Sequence, residues 1–134
     1  MEEASLTGVW DGLYNWPDSR PRTPFTAVLI DTGGALSGSV HEVSLSGPLE
    51  GRELTAMISG ARSGSSVRFT KTYDPKPVRL RPVIYDGQVN ADLTEIEGLW
   101  TIPGLWSGMF LMIRPRRTAE TAKAGERLTE PVSL

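Results

Sequence analysis

Residues 98–108 read Gly98-Leu99-Trp100-Thr101-Ile102-Pro103-Gly104-Leu105-Trp106-Ser107-Gly108, placing two of the chain's four tryptophans on either side of a Pro-Gly turn. Each tryptophan lies two residues from a glycine, Trp100 from Gly98 and Trp106 from Gly108. Apolar alternation on both sides of a turn signal predicts a β-hairpin, with strands Glu95–Ile102 and Trp106–Arg114. A two-residue loop would set the indoles on opposite faces, whereas a loop of three or five residues sets both on one. Proline followed by glycine suits a type II turn, which two-residue hairpins disfavour. The longer loop and a shared inward face are therefore expected.

The same alternation recurs toward the N-terminus. Strand-like runs separated by turn residues span Leu6–Trp16, Pro24–Asp31, Ala35–Glu42, Glu53–Arg62, Ser66–Tyr73 and Pro82–Ala91, which with the hairpin makes eight. No interval before residue 115 carries a helical period. Successive antiparallel strands joined by short loops form a meander, and eight of them close most economically into a barrel without exposed edges. The expected fold is all-β, an eight-stranded antiparallel up-and-down barrel over residues 1–114, with a polar tail at 115–134. A two-sheet sandwich is the alternative, and no long crossover supports Greek-key wiring. The tail reads as loose chain or as an arm that packs on a neighbouring subunit.

Composition bounds the function. With 134 residues, 39% hydrophobic and 22% charged, the chain suits one globular domain, and 14 glycines and 10 prolines favour strands and turns. A net charge of −2 gives no general attraction for nucleic acid or anionic membrane. The absence of cysteine rules out disulfides and thiolate zinc sites, and His41, the one histidine, rules out a histidine cluster within one chain. The acidic N-terminus lacks the basic start and apolar run of a signal peptide, and no stretch approaches a membrane span. A cytoplasmic location is the expectation, although a mature form cut from a precursor would look the same.

Period two assigns the aromatic and glycine-rich set of each strand to the barrel interior. Glycine beside tryptophan makes room for the indole in a narrow, tightly curved barrel. Because the first strand pairs with the last, Trp10 and Trp16 approach the strands that carry Trp100, Trp106 and Phe110, and residues 98–108 are expected to supply half of an aromatic cluster that seals this seam.

With Gly8-Val9-Trp10 on the first strand and Arg114 ending the last, the chain resembles the calycin superfamily of lipocalins, fatty-acid-binding proteins and avidins. That resemblance implies that Arg114 stacks across Trp10 at the closed end, with Gly8 beside it, the guanidinium capping the floor. Leu6-Thr7-Gly8-Val9-Trp10 and Gly34-Ala35-Leu36-Ser37-Gly38 also resemble avidin openings. Asp11 and Gly12 follow Trp10 where a biotin-contacting side chain is expected, so no biotin residues are carried over.

Strand direction sorts the inward residues between the two ends. One end collects Tyr14, Trp16, Phe25, Glu42, Lys71, Tyr73, Tyr85, Trp100 and Trp106 beneath long loops, the features of a mouth. The other collects aliphatics and Arg114 beneath short loops, the features of a floor. The nine mouth residues are the candidate ligand-binding set, with Lys71 or a tyrosine meeting a carboxylate or carbonyl of a small, mainly apolar ligand. In the plainer reading Glu42 and Lys71 pair or reach water, and the aromatics simply fill the barrel.

Catalysis finds less support. His41 and Glu42 are adjacent and so point to opposite faces. No serine stands in a nucleophile elbow, and Gly33-Gly34 and Ser63-Gly64-Ser65-Ser66 lack the setting of a phosphate cradle. Lys71, Glu42 and the tyrosines as acid and base on a bound ring are the enzymatic alternative. No cofactor and no metal are expected. The arginines of the mouth loops and of Arg114–Arg117 form no single basic stripe, so no nucleic-acid partner is expected.

Outside the barrel, strands three to six are polar, whereas Val9, Leu13, Val28, Ile30, Leu99, Met109, Leu111 and Ile113 form an apolar wall on strands seven, eight, one and two. Such a wall predicts an isologous homodimer or cover by the tail, and the tail has few large apolar residues to offer. A filled barrel working through this wall as an interaction module is the second reading.

Overall fold

Alternation becomes closure in the computed structural model, which describes residues 5–74 and 81–115. The strands are β1 (Gly8–Tyr14), β2 (Thr23–Thr32), β3 (Ala35–Val43), β4 (Glu53–Ser63), β5 (Ser66–Tyr73), β6 (Val83–Val89), β7 (Glu95–Ile102) and β8 (Trp106–Ile113). Each pairs antiparallel with the next, and β8 pairs back onto β1 through Gly12 opposite Met112 and Tyr14 opposite Phe110. That seam excludes the two-sheet sandwich. The protein is an all-β, closed meander barrel, with one short 3-10 turn among the described residues, at Gly47–Leu49. Tail residues 116–134 lie outside the described residues. Among the described residues no helix is long and apolar enough to cross a membrane.

The β7–β8 hairpin has the three-residue loop. Ile102 faces Trp106 and Trp100 faces Gly108. Gly104 sits in the left-handed region at φ 78°. Both indoles therefore share one face, Trp100 buried and Trp106 at the rim with 39% exposure. A Cβ at Gly108 would stand 2.6 Å from Trp100 Nε1 and closer still to the Asn15 carbonyl. The glycine is the room the indole needs. Gly12 gives Phe25 room in the same way, directly beneath its ring.

Trp10, Leu29, Val40, Ile58, Val67, Ile96 and Met112 pack the barrel below the mouth, all of them buried. Phe69 stacks on Tyr85 at 5.0 Å, and Phe110 meets both rings edge-on. Each such side chain contributes about 1.5–3 kcal/mol by leaving water. The lower barrel is thus filled with side chains.

At the closed end the Arg114 guanidinium lies 4.5 Å from the Trp10 ring centroid. It donates to the carbonyls of Leu93 at 2.9 Å, Thr7 at 2.9 Å and Ser5 at 2.7 Å. The Trp10 indole N–H donates to the Leu6 carbonyl at 2.9 Å, and a Cβ on Gly8 would stand 3.1 Å from the guanidinium. Leu93, at φ 58°, is the one left-handed non-glycine among the described residues. Its backbone cost of about 1–2 kcal/mol is offset by the carbonyl it presents to Arg114.

A second polar latch closes the same end. Asp31 accepts from Arg62 at 3.0 Å and from the backbone N–H groups of Leu6 and Gly34, both at 3.0 Å. Partial burial works against the carboxylate charge, but these three donors prevail and hold Asp31 below the usual carboxylate range.

Candidate functional site: an aromatic mouth over an ionic floor

Period two delivers five polar side chains to one level of the barrel: Tyr14 from β1, Glu42 from β3, Lys71 and Tyr73 from β5, and Tyr85 from β6. Lys71 Nζ donates to Glu42 Oε1 at 2.9 Å, and both side chains are only 2% exposed. The Tyr14 hydroxyl donates to Glu42 Oε2 at 2.7 Å and the Tyr73 hydroxyl to the same oxygen at 3.3 Å. Glu42 thus accepts three hydrogen bonds. The ammonium also lies 4.8 Å from the Tyr73 ring, 4.9 Å from Tyr14 and 5.5 Å from Tyr85, a cage of π-faces around a cation.

Burial and charge set the protonation states. Burial pushes the Tyr14 phenol far above the ordinary tyrosine range, with Lys71 opposing that rise and Glu42 adding to it. Burial likewise raises Tyr73, and it pushes Tyr85 up to about 12. For Lys71, burial favours the neutral amine, but Tyr85, Tyr73, Glu42 and Tyr14 favour the cation and outweigh it. Its pKa lies well above the usual lysine value. At neutral pH the floor is an ion pair surrounded by phenols that do not ionise, two of which, Tyr14 and Tyr73, donate to Glu42.

Above this floor opens a cavity of about 530 Å3. Of the nine candidate residues, Tyr14, Trp16, Glu42, Lys71, Tyr73, Tyr85, Trp100 and Trp106 line it. Phe25 does not. Its ring covers Gly12, packs 6.0 Å from Tyr14 and lines a second hollow bordered by residues of β1 to β4. Trp16 meets Trp100 edge-on at 5.2 Å and Trp106 at 6.3 Å. Trp10 stands apart from this cluster, at the floor under Arg114. The Trp100 indole N–H donates to the Asn15 carbonyl at 2.9 Å and ties the seam beneath the rim.

Arg20 completes the mouth in a way that sequence reading missed. Its guanidinium lies 3.8 Å from the Trp16 ring and 4.7 Å from Trp106, bridging the two indoles. Asp18 holds it there at 2.8 Å, and the hydrogen bond from Arg20 keeps that carboxyl below its usual range. Loops carry no periodicity, so nothing in the sequence announced the stack. Buried Thr23 and exposed Arg81 also line the cavity. Arg62 was legible in principle, because it continues the inward register of Ile58 and Gly60 toward the end that holds Asp31.

Outside the barrel, His41 is exposed. No group of metal-ligating side chains gathers among the described residues. Val9, Val28, Ile30, Leu99, Met109, Leu111 and Ile113 are exposed and Leu13 is half-buried. Val9 faces Val28, Leu13 faces Leu111, and Leu99 faces Met109 across the ladders. The wall is broken by carboxylates: Asp11 and Glu95 both face Ile113, and Glu97 faces Leu111. No family model matches the chain, and no curated protein matches it.

Proposed function

We propose that this barrel binds a small, mainly apolar ligand in its mouth, without cofactor and without chemistry on the ligand, in the manner of a calycin-type carrier. The observation that carries the reading is the cavity of about 530 Å3, walled by three tryptophans over a balanced polar floor. An apolar hollow with a few fixed polar groups is the usual form of a small-molecule site. The stack of Arg114 on Trp10 and the closed eight-strand meander support the calycin likeness. Native mass spectrometry of gently purified protein tests the reading. A discrete added mass, released on denaturation, is expected. A bare chain mass, with tryptophan emission that no apolar probe quenches, overturns it.

The outer wall favours a second reading, a homodimer formed through strands β7, β8, β1 and β2. Val9 is 60% exposed and Met109 58%, so an isologous contact has apolar surface to cover. Ile113→Glu is expected to halve the mass measured in solution by light scattering. A wild-type protein that is monomeric at micromolar concentration rules the dimer out.

A further inference from the structure

The floor and the rim of the mouth differ in what charge they can accept, and that difference selects a class of ligand. At the floor, Glu42 and Lys71 neutralise each other at 2.9 Å, each side chain 2% exposed. A carboxylate or sulfonate placed there would set two anions against one ammonium between side chains that solvent barely reaches, and the Tyr14 and Tyr73 hydroxyls already donate to Glu42. Such an uncompensated buried charge is strongly unfavourable. A neutral body meets no such penalty. The rim is different. Arg20 is neutralised by Asp18 and stacked on Trp16 and Trp106. Arg81 is exposed, lines the same cavity and has no ion pair among the described residues.

Resting on the carrier reading, we propose that the ligand is an amphipathic organic anion bound with its charge outward. Its flat or branched apolar body lies in the cavity that Trp16, Trp100 and Trp106 line, and its anionic group meets Arg81 at the rim. The ion pair of the floor then discriminates against charge, turning away ligands that would enter anion first.

Two probes sharing one skeleton test this: anilinonaphthalene sulfonate, an anion, and its uncharged parent, N-phenylnaphthylamine. Both are titrated into the full chain at low ionic strength. The anion is expected to bind about fivefold more tightly, the ratio of one solvent-exposed charge pair. That preference is expected to shrink with added salt. Arg81→Gln, an exposed substitution that spares the core, is expected to abolish the preference by lowering the anion's affinity to that of the neutral probe. The double variant Glu42→Gln/Lys71→Met is expected to keep it. Ile113→Glu, on the outer wall, is expected to leave both affinities unchanged.

A preference that survives Arg81→Gln, or one that the double variant removes, overturns the outward orientation and leaves the carrier reading standing. Equal affinities for the two probes do the same. Failure of both probes to bind the wild-type protein overturns the carrier reading and this inference together.

Discussion

Glu42 on β3 and Lys71 on β5 meet at 2.9 Å across the barrel interior, although β4 separates their strands around the wall. Two strand spacings of about 5 Å lie between their backbones, a gap that the two long side chains span, and they meet almost out of reach of solvent. The desolvation of such a pair offsets much of its attraction, so its worth shows when one partner is removed.

Glu42→Gln is accordingly expected to destabilise the fold by about 3–5 kcal/mol, because it strands the Lys71 ammonium in the interior. The double variant Glu42→Gln/Lys71→Met is expected to recover most of that loss. Urea denaturation of the single and double variants, read as a double-mutant cycle, measures it. A double variant no more stable than the worse single variant refutes the account.

Alkaline titration probes the same floor. The chain has three tyrosines, and all three line the mouth. Tyr14, Tyr73, Tyr85 and Lys71 all have raised values in the folded state, so the native protein holds these protons more tightly than the unfolded chain. Their stabilisation is complete below the unfolded values, near about pH 10, and is lost as pH climbs through the folded ones, about 12 for Tyr85. Phenolate absorbance in the native protein is expected to stay flat through pH 10 and to rise together with loss of the barrel's circular dichroism. One tyrosine ionising near its ordinary value with the fold intact contradicts this.

At the opposite end, Arg114→Met removes three hydrogen bonds to carbonyls and the cover on Trp10. A loss of about 3 kcal/mol is expected. Arg114→Lys is expected to lose at least half as much, since a compact ammonium cannot span Ser5, Thr7 and Leu93 at once. Urea midpoints for both variants check this, and a lysine variant as stable as wild type would show that charge alone caps the floor.

Gly108→Ala inserts a methyl group against the Trp100 indole and the Asn15 carbonyl that accepts its N–H. A loss of about 1–3 kcal/mol is expected, with a shift in tryptophan emission as the ring is displaced. Thermal melts with simultaneous fluorescence detect both. An unchanged melt means that the seam yields without strain.

The barrel was legible because a period of two survives in every strand, and the odd-length loop at Pro103–Leu105 followed from the steric demands of proline and glycine in a hairpin. Which inward residues share an end also followed, from strand direction alone. The pairing of Glu42 with Lys71 was one of two outcomes open to the sequence, because contact across an interior depends on barrel radius and stagger, which residue spacing does not express. The clamp of Arg20 between Trp16 and Trp106 and the exit of Phe25 from the cavity were illegible. Loop conformation and ring rotamers arise from packing among residues distant in sequence.

The seam that shuts the barrel has a bearing on its biosynthesis. Arg114 reaches back to Ser5, 109 positions earlier, and β1 gains its second neighbour only from β8. On the ribosome the first strand therefore waits until the eighth has emerged from the exit tunnel. Throughout that interval Trp10 has no guanidinium above it and β1 keeps a free edge, open to chaperones or to another nascent chain. Sealing can only follow the synthesis of β8, and its rate is governed by the search that brings the two ends of the barrel together.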